Sequence, residues 1–184
     1  AHTGDPIWNI SAWIPGAIVA DGYLVGLNCY DGQIYTFGKG PSKTSVSAAP
    51  KTVSQGSEVL IEGSVLDVSP GTEDYDITVH YPNGVPAIAD EYMSQWMEHL
   101  YMQKQRPVDL TGVPVKVQLI DPDGQYSWIG TTTSDSFGCY AYSFIPQKKG
   151  IYTVIATFDG SESYWGSQST TYLTVGDAPA QVTI

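Results

Sequence analysis

Nucleophilic chemistry needs a base near its nucleophile, and the chain's three imidazoles are His2, His80 and His99. They fall in an N-terminal tail, a β-prone run and a helical run. No G-x-S-x-G elbow occurs, and neither Cys29 nor Cys139 has a histidine nearby in sequence, so no local motif writes a catalytic triad. Glycoside hydrolysis instead needs two carboxyls at a defined separation. Asp67, Glu73, Asp74 and Asp76 crowd one stretch, and Asp90, Glu91 and Glu98 ride another. Acids clustered on a loop more often form a solvated turn or a calcium site than an acid/base pair. EF-hand spacing is absent, as are C-x-x-C and Cys/His clusters that would hold zinc or haem. The expectation is therefore no catalytic set, no metal and no cofactor.

A second chemistry is stacking on sugars, in which Tyr or Trp rings lie against a saccharide face while polar neighbours fix its orientation. Tyr164 and Trp165 sit among serines in DGSESYWGSQS (159–169), and Tyr126 and Trp128 lie on another β-prone run. The competing expectation is that one of each pair packs inward. Asn9-Ile10-Ser11 fits the N-glycosylation acceptor pattern. Cys29 and Cys139 make either one disulfide or two buried thiols.

Charge narrows the partners. With 8 basic and 19 acidic residues the formal net charge is -11, which repels phosphate backbones and anionic membranes. Nucleic acid is excluded as a partner class, and no apolar run reaches the roughly 18 residues a membrane span needs. The acidic balance fits an extracellular or cell-surface setting, a salty habitat, or solubility alone. The chain opens at Ala1 with no basic and apolar leader, the expectation for a processed protein or a piece of a longer one.

Several elements would have to position these groups. Residues 1–39 alternate turn signals with β-prone runs (IWNI, AIVA, YLVGLN, QIYTFG), which predicts a meander of about four short strands. Residues 40–57, rich in Gly, Pro, Ser and Thr, read as a linker and a first sandwich strand. Longer strands are expected from 58 to 176: EVLIEGSVLDV (58–68), DITVHYP (76–82), VPVKVQLID (113–121), YSWIGTTTS (126–134), CYAYSFIP (139–146), GIYTVIATFDG (150–160) and STTYLTV (169–175). Val113, Val115, Val117 and Leu119 alternate with Lys116 and Gln118, the pattern of a half-buried strand. Between them, Ile88, Tyr92, Met93, Trp96, Met97, Leu100 and Tyr101 recur at helical spacing. That stripe predicts an inserted amphipathic helix over about 86–106, opened by Pro86 and closed by Lys104, Arg106 and Pro107. Met93, Met97 and Met102 suit either a partner-binding face or packing on the chain's own sandwich. Residues 177–184 read as a tail.

The run 111–175 resembles the immunoglobulin-like domains of microbial surface proteins. Gly112 and Pro114 match their G-x-P-V strand, Thr132, Asp135 and Gly138 their T-T-x-x-D-x-x-G turn, and Gly150, Tyr152 and Ala156 their G-x-Y-T-V-x-A strand. The inserted helix departs from the plain pattern and resembles a variant found in large archaeal surface proteins. Residues 1–39 are similar to one repeat of a quinoprotein-type β-propeller, on Asp5-Pro6-Ile7-Trp8 and the D-G-x-x-Y of Asp31, Gly32 and Tyr35. A propeller needs typically 4–8 such blades.

These readings imply a mostly-β chain: an Ig-like antiparallel sandwich with one inserted helix, preceded by a β-meander. The expected function is a non-catalytic extracellular or cell-envelope module for adhesion, spacing or self-assembly through strand edges, with other chains or copies of itself as partners. The alternatives are a glycan-binding module using Tyr126, Trp128, Tyr164 and Trp165, and an accessory domain of a larger propeller enzyme.

Overall fold

The computed structural model describes residues 4, 6 and 8–177, so His2, Asp5, Ile7 and the tail beyond Asp177 lie outside the described residues. Near the N-terminus, β1 (Ala17–Ala20), β2 (Tyr23–Asn28) and β3 (Gln33–Phe37) form a three-stranded antiparallel sheet in that order. The β1–β2 hairpin turns on Asp21 and Gly22, at φ 52° and 80°, the left-handed pair of a two-residue turn whose twist matches the strands. Residues 8–11 add no fourth strand. Their backbone donors go elsewhere: the Asn9 N–H donates to Ser94 Oγ (2.9 Å) and the Ser11 N–H to Glu98 Oε1 (3.1 Å).

The stretch 40–57, expected as a linker and a first sandwich strand, is built into the sandwich over much of its length. It forms β4 (Ser42–Thr44), β5 (Ser47–Ala49) and β6 (Thr52–Ser54). Both β4 and β5 pair with one edge of β7 (Val59–Asp67), at Val65–Asp67 and Leu60–Glu62. Its turn-prone composition breaks the segment into short edge strands instead of leaving it unpaired. Gly63 of β7 admits a close approach: a Cβ there would lie 2.6 Å from Tyr140 Oη, which donates to the Ser45 carbonyl at 2.5 Å.

After a 3₁₀ turn (Pro70–Glu73), the expected strand 76–82 is the helix α1 (Tyr75–His80). The Ile77 and Thr78 N–H groups turn back onto the Asp74 carbonyl (3.1 and 2.9 Å). The neighbouring edge of β7 at Leu66 and Asp67 is taken by β8 (Val85–Pro86). Local hydrogen bonding therefore overrides the β-branched pattern.

The amphipathic helix is shorter than 86–106. Pro86 pairs with Leu66 in β8, Ala87 and Ile88 continue fully buried, and a 3₁₀ turn (Asp90–Tyr92) leads into α2 (Met93–Met102). Gln103 closes α2 in the left-handed conformation at φ 54°. Lys104 and Arg106 thus lie beyond the helix: the Lys104 N–H returns to the Glu98 carbonyl (3.2 Å), and Arg106 Nη2 donates to the Ser136 carbonyl (2.8 Å).

The remaining strands are β9 (Pro114–Ile120), β10 (Tyr126–Thr133), β11 (Cys139–Phe144), β12 (Gly150–Gly160) and β13 (Trp165–Gly176). One five-stranded sheet runs β10-β9-β12-β13-β6, antiparallel except for β6 beside β13. The facing sheet is centred on β7, with β4 and β5 along one side and β11 and β8 along the other. At one end of the sandwich Val59, Ile61, Val117, Leu119, Val154 and Leu173 interdigitate. At the other, where the β7 sheet is broken into short strands, Ile77 of α1 and Met93 and Trp96 of α2 close the core against Val65, Val115 and Phe158. The fold is mostly β: a two-sheet sandwich with an inserted helix, preceded by a β-meander.

Candidate functional site

The groups with catalytic potential are each engaged locally. His99 Nδ1 lies 2.8 Å from the Lys104 carbonyl and Nε2 2.7 Å from Tyr81 Oη. Since a carbonyl only accepts, Nδ1 carries a proton, and in the neutral imidazole Tyr81 donates to Nε2. His80 Nδ1 meets the Asp76 carbonyl at 2.6 Å, within its own helix. Asp67 ends β7 buried; its Oδ1 accepts the Ser69 N–H (2.8 Å) and its carboxyl faces the Tyr164 hydroxyl. Burial pushes the Asp67 carboxyl up, and the hydrogen bonds from Ser69 and Tyr164 only partly offset this. Burial likewise raises Tyr164 and Tyr101, reinforced by the Asp67 charge.

Asp90 clamps the 161–164 loop. Its carboxylate accepts Ser161 Oγ (2.8 Å), the Glu162 N–H (2.9 Å) and the Ser163 N–H (3.0 Å). Burial alone would raise this carboxyl, but those hydrogen bonds outweigh it and hold it below the ordinary range. Glu73 ends the 3₁₀ turn, Asp74 joins it to α1 and Asp76 lies in the first turn of α1, and no cluster of three or more metal-ligating side chains occurs among the described residues.

Loop and strand geometry sort the sequence-predicted aromatics. In the 159–169 segment alternation holds: Tyr164 is buried in the core and Trp165 is exposed, with Lys39 Nζ 4.8 Å from its ring centre. The adjacent pair is therefore one core anchor and one surface ring, not a double stacking site. Tyr126 and Trp128 depart from the inward expectation. Two residues apart on β10, they share one sheet face, and both are exposed, at 60% and 63%. Asn9 is exposed. Cys29, in the β2–β3 loop, and Cys139, on β11, are both exposed free thiols, so the structure contains neither the disulfide nor the buried pair.

The N-terminal sheet has two unlike faces. Opposite residues in register share a face, which puts Tyr35 and Phe37 on the side towards α2. Phe37 packs against Trp8 with ring centres 5.3 Å apart, and Trp8 also meets the helix-end core. Tyr35 Oη donates to Asp31 Oδ2 (2.8 Å) and approaches the Tyr101 carbonyl (3.4 Å). Burial, with the bonded Asp31 charge, pushes the Tyr35 hydroxyl up to about 12. The D-G-x-x-Y residues are thus a device: Asp31 also accepts the Gln33 N–H (3.0 Å) and Asn28 Nδ2 (3.1 Å), which locks the hairpin loop. A cleft of about 530 Å³ between this loop and the end of α2 is lined by Asn28, Tyr30, Tyr35, Tyr101 and Met102. On the opposite face, Ile18, Leu27 and Ile34 are 74%, 48% and 73% exposed. Sequence reading found the hairpin but not this asymmetry, because period-2 alternation does not say which face finds a cover.

No protein-family model matches the chain, and no curated protein matches it. Among solved structures, the chain is similar to the sporulation control protein Spo0M from Bacillus subtilis (13% identity, TM-score 0.38, covering 75% of this chain and 50% of that one). It is also similar to a beta-glucosidase from Listeria innocua in complex with glucose (12% identity, TM-score 0.34, covering 79% of this chain and 17% of that one). The chain therefore spans half the length of the first and under a fifth of the second.

Proposed function

We infer that the protein is a non-catalytic extracellular or cell-surface module that assembles with copies of itself through the N-terminal sheet. The observation that carries this is β1. All four of its residues are exposed, Ile18 and Val19 at 74% and 72%, and the strand lies at the sheet edge with no partner on its outer side among the described residues. The strand AIVA has neither charge nor proline, the devices that normally protect an edge. Two β1 strands pairing antiparallel about a two-fold axis would join two three-stranded sheets into one. The Ile18, Leu27 and Ile34 faces would then lie side by side in a continuous apolar surface.

Light scattering on the full chain and on Val19→Lys tests the reading. The wild type is expected as a dimer or larger assembly, and the variant, with a charge on the pairing edge, as a monomer. A wild-type chain that stays monomeric at high concentration, or a Val19→Lys chain that assembles unchanged, refutes it.

A further inference from the structure

Tyr126 and Trp128 belong to a wider surface that strand register assembles. On the outer face of the five-stranded sheet, Tyr126 lies opposite Ile120, which pairs with Thr153, which pairs with Tyr172. These four residues form one row across four strands. The next row holds Trp128, Gln118, Ile155 and Thr170, and the one after it Thr131, Lys116, Thr157 and Gln168. Tyr172 is 64% exposed, like the two β10 rings. At a strand spacing of about 4.8 Å, Tyr126 and Tyr172 stand about 14 Å apart, with Trp128 about 7 Å along β10 from Tyr126. That spread matches several linked sugar rings, not one.

The surface is arranged in advance. A bulge between Trp128 and Gly130 turns β10 locally, and Trp128 Nε1 donates to the Gly130 carbonyl at 2.8 Å. The indole N–H is thereby spent on its own strand, so the exposed ring offers a ligand its π surface and not a donor. Beside it, Gln118 Oε1 accepts the Thr157 hydroxyl at 3.0 Å. This bond fixes the amide, whose N–H₂ has no partner among the described residues and can donate to a ligand hydroxyl.

Charge selects the ligand class. Lys116 pairs with Asp159 on the same surface, and the other residues of these rows are uncharged, so the face is neutral on a chain of net charge -11. An anionic polymer meets long-range repulsion, and a cationic one finds no free carboxylate in these rows. Exposed rings interspersed with amide and hydroxyl groups suit a neutral, hydroxyl-rich ligand with apolar ring faces.

We propose that this face binds a neutral polysaccharide, with Tyr126, Trp128 and Tyr172 stacking on successive sugars and Gln118 donating to their hydroxyls. This goes beyond the self-assembly reading and uses a different surface. The test is affinity electrophoresis of the full chain through gels containing hydroxyethylcellulose, xylan, mannan or β-glucan, with alginate as an anionic comparison.

At least one neutral polymer is expected to retard the wild type. Trp128→Ala is expected to weaken that retardation roughly tenfold, the scale of one lost aromatic stack, and Tyr126→Ala, Tyr172→Ala and Gln118→Ala less. Trp165→Ala, at an exposed ring away from these rows, should migrate like the wild type. All four platform side chains lie on the outer face, so an unchanged thermal melt will show each variant folded. The proposal is overturned if no neutral polymer retards the chain, if alginate alone does, or if Trp128→Ala binds as the wild type does. It is equally overturned if Trp128→Ala changes the oligomeric state by light scattering, because a second copy would then occupy the face.

Discussion

Asp67 shows how burial converts a residue in an acidic stretch into a structural group. Its neighbours in sequence, Glu73 and Asp74, are exposed, whereas Asp67 lies at the β7 end under Tyr164 and Tyr101. A carboxyl whose folded-state pKa lies above its unfolded value, near 3.9, holds its proton more tightly when folded. Its favourable contribution is complete below the unfolded value and is lost as pH rises through the folded one. The melting temperature of Asp67→Asn relative to the wild type should therefore be highest at pH 8, and that relative gain should shrink as pH falls through the folded-state pKa towards 4. Paired thermal melts across that range check it; a gain independent of pH would contradict the assignment. Asp90, held below the ordinary range, contributes the opposite slope in both chains and cancels from the difference.

Among the elements, α2 is the one on which two layers depend. Its buried side carries Met93 and Trp96 into the sandwich core, with Met97, half-buried, packed against the same cluster. Its other side receives Ser11 on Glu98 and Tyr35 on the Tyr101 carbonyl. Trp96 is fully buried, beneath Tyr81 at 5.7 Å and Arg106 at 6.0 Å. Trp96→Ala should cost about 3–5 kcal/mol, the range for emptying an aromatic site in a packed core. Urea titration followed by far-UV circular dichroism measures this, and a loss below about 1 kcal/mol would show that the site collapses without penalty. The helix was legible because a 3.6-residue stripe is a strong local signal. Its N-terminal boundary was not, because Pro86 suits an edge strand as well as a first helical turn and the vacancy beside Leu66 of β7 decides between them.

At the scale of the molecule, the three-stranded sheet and the sandwich are unequally buried. Among β1–β3 only Gly26 and Asn28 are buried, whereas β7, β9 and β12 each bury several apolar side chains completely or nearly so. Opening free energy follows burial, so amides of β2 should exchange with solvent well before those of β12 in native-state hydrogen exchange. Equal protection in the two strands would mean that the N-terminal sheet unfolds only with the whole chain. The expected boundary at 40–57 is where this matters: β4 and β5 are stitched to β7, and Ser42 Oγ donates to the Trp165 carbonyl at 2.6 Å. The two units are therefore joined by paired backbone, not by a free tether.

The sequence by itself determined the local features: the sandwich strands with their inward valines, the turn residues, the amphipathic helix and the D-G-x-x-Y hairpin. Each rests on a periodicity or dihedral preference confined to a few neighbouring residues. Tertiary structure alone decided that 75–80 is helix, that 42–54 is sheet edge, that Cys29 and Cys139 stay apart, and that Tyr164 faces in while Tyr126 and Trp128 face out. It alone set Tyr172, three strands away, in one row with Tyr126, and Gln118 beside Trp128 in the next. The physical reason is that pairing and burial depend on which neighbour fills the adjacent edge, and a linear pattern does not carry that information.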